Sequence, residues 1–199
     1  MGQFGQIAVD DIIACIIRDE ARKANIPEFV PMGIAGAESG FDPNAEGDNG
    51  RSIGLFQLYV DGGQGSDYVN NLDALKNPRL NAQIAMPYIV NGYFWAAQRG
   101  YTGEDLIRQV AVHSGHPGAV DPHDYRVDHI YDVTVQLITN AAGQIVAWPP
   151  FNPSVCASLP PPPPPIGSWS EGPAPTNRDQ ADAAISAHAD RIGQLVDSF

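Results

Sequence analysis

Six consecutive prolines, Pro160 to Pro165, set the first limit on how this chain can fold. Proline lacks a backbone N–H and its ring fixes φ, so the run enters neither a helix interior nor a central strand and extends as polyproline II. With Pro149-Pro150 and Pro153 ahead of it, the stretch 149–176 reads as a semi-rigid linker. A packed domain is thereby confined to residues 1–148, long enough for one core. Residues 177–199 stand apart from it. There Ile185, Ala189, Ile192, Val196 and Phe199 share one stripe at helical spacing. They predict a C-terminal amphipathic helix that buries its stripe on the domain or, the reading we favour, on a partner protein.

Inside the domain the hydrophobic period is that of helices, so the fold class is mainly α. Val9, Ile12, Ile13, Ile16 and Ile17 predict an amphipathic helix across residues 7–24. Asn25 stops it, and Pro27 opens a second, more buried helix from Glu28 to Glu38. Residues 41–52, rich in Asp, Asn, Gly and Pro, form loop, followed by a short extended or hairpin-like piece over Ile53 to Val60. Asn77-Pro78 begins a helix with Leu80, Ile84, Tyr88, Phe94 and Trp95 as its apolar side and Pro87 as a bend. Thr102 caps a helix that ends at His113. Pro122 opens a long helical region to about Trp148, with Gly143 as a break.

Charge narrows the partners. Eleven Lys and Arg against 23 Asp and Glu leave a net −12, which repels phosphate backbones and anionic bilayers, so nucleic acid is excluded. An anionic polymer has to be held by groove contacts rather than by bulk attraction. No apolar stretch reaches membrane-spanning length, and the N-terminus lacks the basic start and apolar core of a secretion signal. Two cysteines, Cys15 in the first helical run and Cys156 in the proline-rich region, make no disulfide framework; Cys15 reads as a free buried thiol.

The chemistry centres on residues 37–58. Glu38 follows Gly33-Ile34-Ala35-Gly36-Ala37, and Gln57 sits in the apolar run Gly54-Leu55-Phe56-Gln57-Leu58. A carboxylate beside apolar walls and at the negative end of a helix dipole resists ionisation, which suits a general acid. An amide in an apolar wall suits a polar ligand. Asp42, Glu46, Asp48 and Asp61 are the nearby acids that could act with it. Asp42 to Asp48 imitates the start of a calcium loop, but Ile53 stands where the closing Glu is required. The cluster His113, His116, Asp121, His123, Asp124, Asp128 and His129 fits no zinc spacing, so no metal and no cofactor is expected.

Glu38-Ser39-Gly40-Phe41, then Pro43 and Ala45, then Ser52 to Leu58, resemble lytic transglycosylases of the soluble-lysozyme-like type and, more distantly, goose-type lysozymes. Phe56 replaces the usual Met of the second motif. Asn77 to Asn81 looks like the helix ahead of the family's third motif, here degraded to residues 111–118. Aligned on Gly115, Val112 and His113 replace its Tyr and Asn. Aligned on Pro117-Gly118, which we prefer, His113 takes the place of the Tyr and faces the acid.

The resemblance implies a lysozyme-like domain that cuts the β-1,4 bond between N-acetylmuramic acid and N-acetylglucosamine in peptidoglycan. It makes Glu38 the catalytic residue, and Ser39, Phe56, Gln57, His113 and Ser114 the substrate-binding ones. A transglycosylase gives 1,6-anhydro products with Glu38 as acid and then base. A goose-type hydrolase needs a second acid to activate water, and a non-catalytic glycan-binding module keeps only the fold. The expected partners are glycan strands and a virion or tail protein bound through the C-terminal tail. The expected setting is a bacteriophage virion acting on the host wall, or else release from the host cytoplasm.

Overall fold

The computed structural model describes residues 1–114 and 121–157. The expected C-terminal helix, most of the linker, and Pro117-Gly118 lie outside the described residues. The chain starts with an antiparallel hairpin, β1 (Gly2–Phe4) and β2 (Ile7–Val9), with Gly2 opposite Val9 and Phe4 opposite Ile7. Helix α1 (Asp11–Lys23) follows. The helix expected from residue 7 therefore begins later, because the Asp10 side chain accepts from the Ile12 amide at 2.8 Å and the Ile13 amide at 3.3 Å and so caps it there. Val9 still faces the core, which is why the period ran on through strand and helix alike.

Helix α2 (Phe29–Ser39) matches the expected second helix. Next come β3 (Glu46–Gly47), β4 (Ser52–Ile53) and β5 (Leu58–Tyr59), a small antiparallel sheet in that order. A helical turn α3 (Leu72–Leu75) leads into α4 (Pro78–Gln98), then α5 (Gly103–His113) and α6 (Tyr125–Ile138). Asn77 caps α4 by accepting from the Arg79 and Leu80 amides at 3.0 and 3.1 Å.

Helix α2 packs against α1, α4, α5 and α6, so it needs apolar residues on nearly every side, and its sequence FVPMGIAGA supplies them. Its approach to α6 is closest at Gly33, where a Cβ would lie 1.9 Å from Thr134 Oγ1. Only glycine lets the two helices meet at that distance. On α4 the buried residues are Leu80, Asn81, Ala82, Ala85, Met86, Ile89, Gly92 and Ala96, whereas Tyr88 and Phe94 are exposed. Of the expected apolar side, Leu80 is buried and Ile84 and Trp95 pack against the core, while the helix fills the rest of its buried face with small residues rather than with Tyr88 and Phe94.

Helix α6 ends ten residues short of Trp148. Asn140 Oδ1 accepts from the Ala142 and Gln144 amides, each at 3.0 Å, and Gly143 adopts φ 74°, so the chain turns and Thr139 pairs with Ile145. The Trp148 indole then donates to Leu137 O at 3.1 Å.

Residues 149–157, assigned above to the linker, lie on the domain instead. Phe151 packs under the guanidinium groups of Arg18 and Arg22, and a short turn α7 (Pro153–Cys156) brings Cys156 to Cys15. These two form a disulfide with Cα atoms 5.4 Å apart. Cys15 is therefore not a free thiol. With the cysteines 141 positions apart, nothing local in the sequence marks the pair; the return of the strap across α1 creates it. Arg79 Nη2 also donates to Cys156 O at 2.7 Å, tying the strap to α4.

Candidate active site

Glu38 occupies the last turn of α2, which closes at Gly40 in the left-handed conformation (φ 61°). Its carboxyl is partly buried, and three effects set its proton affinity. Desolvation is the largest and raises the pKa, the Asp48 carboxylate raises it further, and the Arg126 guanidinium opposes both; the result is about 7. A group with that value holds and releases a proton with equal ease near neutrality.

Of the four acids singled out in the loop, three are engaged elsewhere. Asp61 pairs with Arg51 at 2.8 Å, Glu46 pairs with Lys76 at 2.8 Å, and Asp42 Oδ1 accepts from the Asn44 amide at 2.8 Å. Asp48 is the one whose charge reaches Glu38. It is held by the Ser52 hydroxyl, which donates to Oδ2 at 2.5 Å.

Arg126 was not among the sequence candidates. Asp124 caps α6 by accepting from the Arg126 amide at 3.0 Å, and grips the same residue's guanidinium through Nε at 2.9 Å and Nη2 at 3.1 Å. A clamped cation thus stands at the start of α6 near the acid at the end of α2. Asp124-x-Arg126 ahead of a helix is a visible cap, but its nearness to Glu38 depends on how α2 crosses α6. Asp128, from the same His and Asp cluster, pairs with Arg108.

Ser39 Oγ lies 3.0 Å from Ala35 O and 2.9 Å from Leu55 O, so its single proton serves one carbonyl at a time. The hydroxyl ties the helix end to the 53–58 segment. Gln57 is likewise turned inward: Nε2 donates to Gly54 O at 2.9 Å and Ala45 O at 3.2 Å, with the residue itself at φ 46°. Phe56 is 6% exposed, and its ring is core rather than cleft lining, because its amide is drawn in toward α4.

The residue that does this is Asn81, which sequence reasoning passed over as part of a motif. It is fully buried, accepts from the Phe56 amide at 2.9 Å, and donates to Ile53 O at 2.9 Å and Leu75 O at 2.8 Å. Every hydrogen of its amide is used. Gly54 (φ 79°) lies against it, where a Cβ would come within 2.3 Å of Asn81 Nδ2. A polar side chain between Leu80 and Ala82 on a buried helix was the signal available.

His113 stacks face to face on Trp95, centroids 3.5 Å apart, with Nδ1 at 2.9 Å from Gln109 O. Its ring is thus engaged with α4 and with its own helix, where the sequence alignment had turned it toward the acid. Ser114 is buried, and its hydroxyl donates to Ala111 O at 3.2 Å, so its side chain does not line a cleft. Its carbonyl accepts from Gln64 Nε2 at 3.1 Å. A depression of about 430 Å³ beside α1 and α4, with Glu20, Lys23, Met86 and Val90 in its wall, contains none of these residues.

A mainly helical domain with a half-buried carboxyl of raised pKa, a clamped arginine and a tied-down hairpin loop is what the geometry defines. Residues 15–99 match the family model of the Transglycosylase SLT domain. The matched stretch takes in Glu38, Ser39, Gln57 and Asn81, but not His113, Ser114 or Arg126. It supports a lysozyme-like domain with the peptidoglycan-directed activity of lytic transglycosylases in general. No curated protein and no solved structure matches the chain. No helix among the described residues is long and apolar enough to cross a membrane.

Proposed function

We propose that the domain cuts the β-1,4 bond between N-acetylmuramic acid and N-acetylglucosamine, with Glu38 as its single acid and base. The observation that carries this reading is the Glu38 carboxyl held at about 7 between charges of opposite sign. Protonated Glu38 gives its proton to the leaving glycosidic oxygen as the C1–O4 bond breaks. The carboxylate so formed then takes the proton of the muramyl C6 hydroxyl. Its oxygen bonds to C1, which closes a 1,6-anhydro ring and returns the proton to Glu38. Arg126 steadies the ionised form in the second half, while burial and Asp48 favour the protonated form in the first. Ser39, Gln57 and Asn81 act by holding the loop in place.

One observation favours a second reading. Asp48 is both near Glu38 and fixed by Ser52, as a water-activating carboxylate in a goose-type hydrolase has to be. Digesting purified cell walls and weighing the muropeptides separates the two. Anhydro-muropeptides support the transglycosylase and reducing ends the hydrolase; no products would leave a glycan-binding module.

The setting we propose is a bacteriophage particle, held through the C-terminal stripe and working outside the reducing cytoplasm. The Cys15–Cys156 disulfide supports such an oxidising location. Tail attachment is tested by asking whether residues 158–199 fused to a reporter are captured on virions.

A further inference from the structure

The described residues contain nine Lys and Arg, and eight of them sit against carboxylates. Arg18 and Arg22 share Glu28, Lys23 meets Asp19 and Glu20, and Arg51, Lys76, Arg79, Arg108 and Arg126 each have their own acids. Among the described residues Arg99 alone has no carboxylate within ion-pair distance. It is exposed, at the end of α4, and its guanidinium is nonetheless ordered: it lies 4.1 Å from the Trp95 ring centroid, and Nη1 donates to Trp95 O at 3.1 Å. Most of its donors remain available in a fixed plane, the geometry that matches a carboxylate.

Around it the rings form a layer. Trp95 stacks on His113 with 20° between planes and on Tyr101 with 14°, and Phe94 beside it is exposed. The contact of His113 Nδ1 with a backbone carbonyl makes that nitrogen the donor, because a carbonyl only accepts. Nε2 of an exposed ring is then left to accept from a hydroxyl. Ring surface for sugar C–H faces, an acceptor for a hydroxyl and a planar cation for a carboxylate stand together on α4 and α5.

We propose that Arg99, Trp95, Tyr101 and His113 form an ancillary binding platform for a carboxylate-bearing glycan strand, in addition to the contacts made at the bond that is cut. The platform rests on the glycan reading above. It answers the difficulty that a chain of net charge −12 meets on an anionic polymer: a cation without a carboxylate partner among the described residues, set in an aromatic layer, supplies local attraction where the overall field repels. The carboxylate belongs either to a muramyl sugar that carries no peptide or to the peptide itself.

The test is a wall-pelleting assay with the Glu38→Gln protein, which binds without consuming its target. Native walls are compared with walls whose carboxyls have been amidated with carbodiimide and ammonia, and with glycan strands stripped of peptide. Amidation removes repulsion from an acidic protein, so without the platform binding strengthens. The platform requires it to weaken, by about fivefold. Adding Arg99→Gln should weaken binding to native walls by a similar factor and leave binding to amidated walls unchanged. Stripping frees the muramyl carboxyl that held the peptide, so binding retained on stripped strands shows that a sugar carboxylate suffices, and binding lost there assigns the carboxylate to the peptide. Equal or tighter binding after amidation, or no effect of Arg99→Gln, overturns the platform while the glycan reading stands. Absence of any wall binding overturns both. The amidation arm needs no substitution at the platform, so misfolding of a variant cannot decide the result.

Discussion

Ser39 Oγ and Leu55 O lie 2.9 Å apart, so the residue after the acid is fastened to the loop that follows it in sequence by sixteen positions. A hydroxyl that could have faced a ligand is spent on register between helix end and loop. Ser39→Ala should cost about 1 kcal/mol of stability and lower wall-cleavage rates more than the stability loss explains. Denaturant midpoints set against turnover on the same samples check this. Full activity with intact stability would leave Ser39 without a positioning role.

The pH profile follows from the charges around Glu38. With the acid form required first, kcat/KM should fall on the alkaline side with a midpoint of about 7. Asp48→Asn removes a charge that raises the pKa, so the limb moves to lower pH. Arg126→Gln removes a charge that lowers it, so the limb moves to higher pH. Profiles of the two variants that shift in the same direction would contradict this arrangement.

Stability carries the same signature with its own sign. The folded state holds the Glu38 proton more tightly than an unfolded carboxyl does, so stability falls as pH rises from about 4.5 through 7. Glu38→Gln removes that loss. It should stabilise the domain at pH 8 by about 3 kcal/mol and change little at pH 4, while cutting cleavage at least a hundredfold. Urea titrations at the two pH values provide the comparison.

Asn81 is the buried support of the loop. Asn81→Leu leaves the Phe56 amide and the carbonyls of Ile53 and Leu75 without partners, which should destabilise by about 3 kcal/mol or more. Amide exchange should quicken first at Phe56. Uniform exchange across the domain would mean that Asn81 supports the whole core rather than this segment.

Cys15→Ala with Cys156→Ala tests the strap. Opening a bridge that spans 141 residues should lower stability by about 3–5 kcal/mol. A reducing agent should lower the denaturant midpoint of the natural chain toward that of the variant and leave the variant unmoved.

By itself the sequence determined what depends on near neighbours. The period of isoleucines in α1, the Pro27 start and apolar run of α2, the start of α4 at Asn77-Pro78 and the placement of Glu38 at a helix end were all legible, because helix formation reads residues three and four apart. Only the tertiary structure decided the rest. The crossing of α2 over α6 at Gly33 brings Arg126 to Glu38, the burial of Asn81 draws in Phe56, Trp95 holds the His113 ring in a stack between α4 and α5, and the strap carries Cys156 back to Cys15. Each of these joins residues on different elements, where side-chain size at a crossing sets the distance and no local periodicity records it.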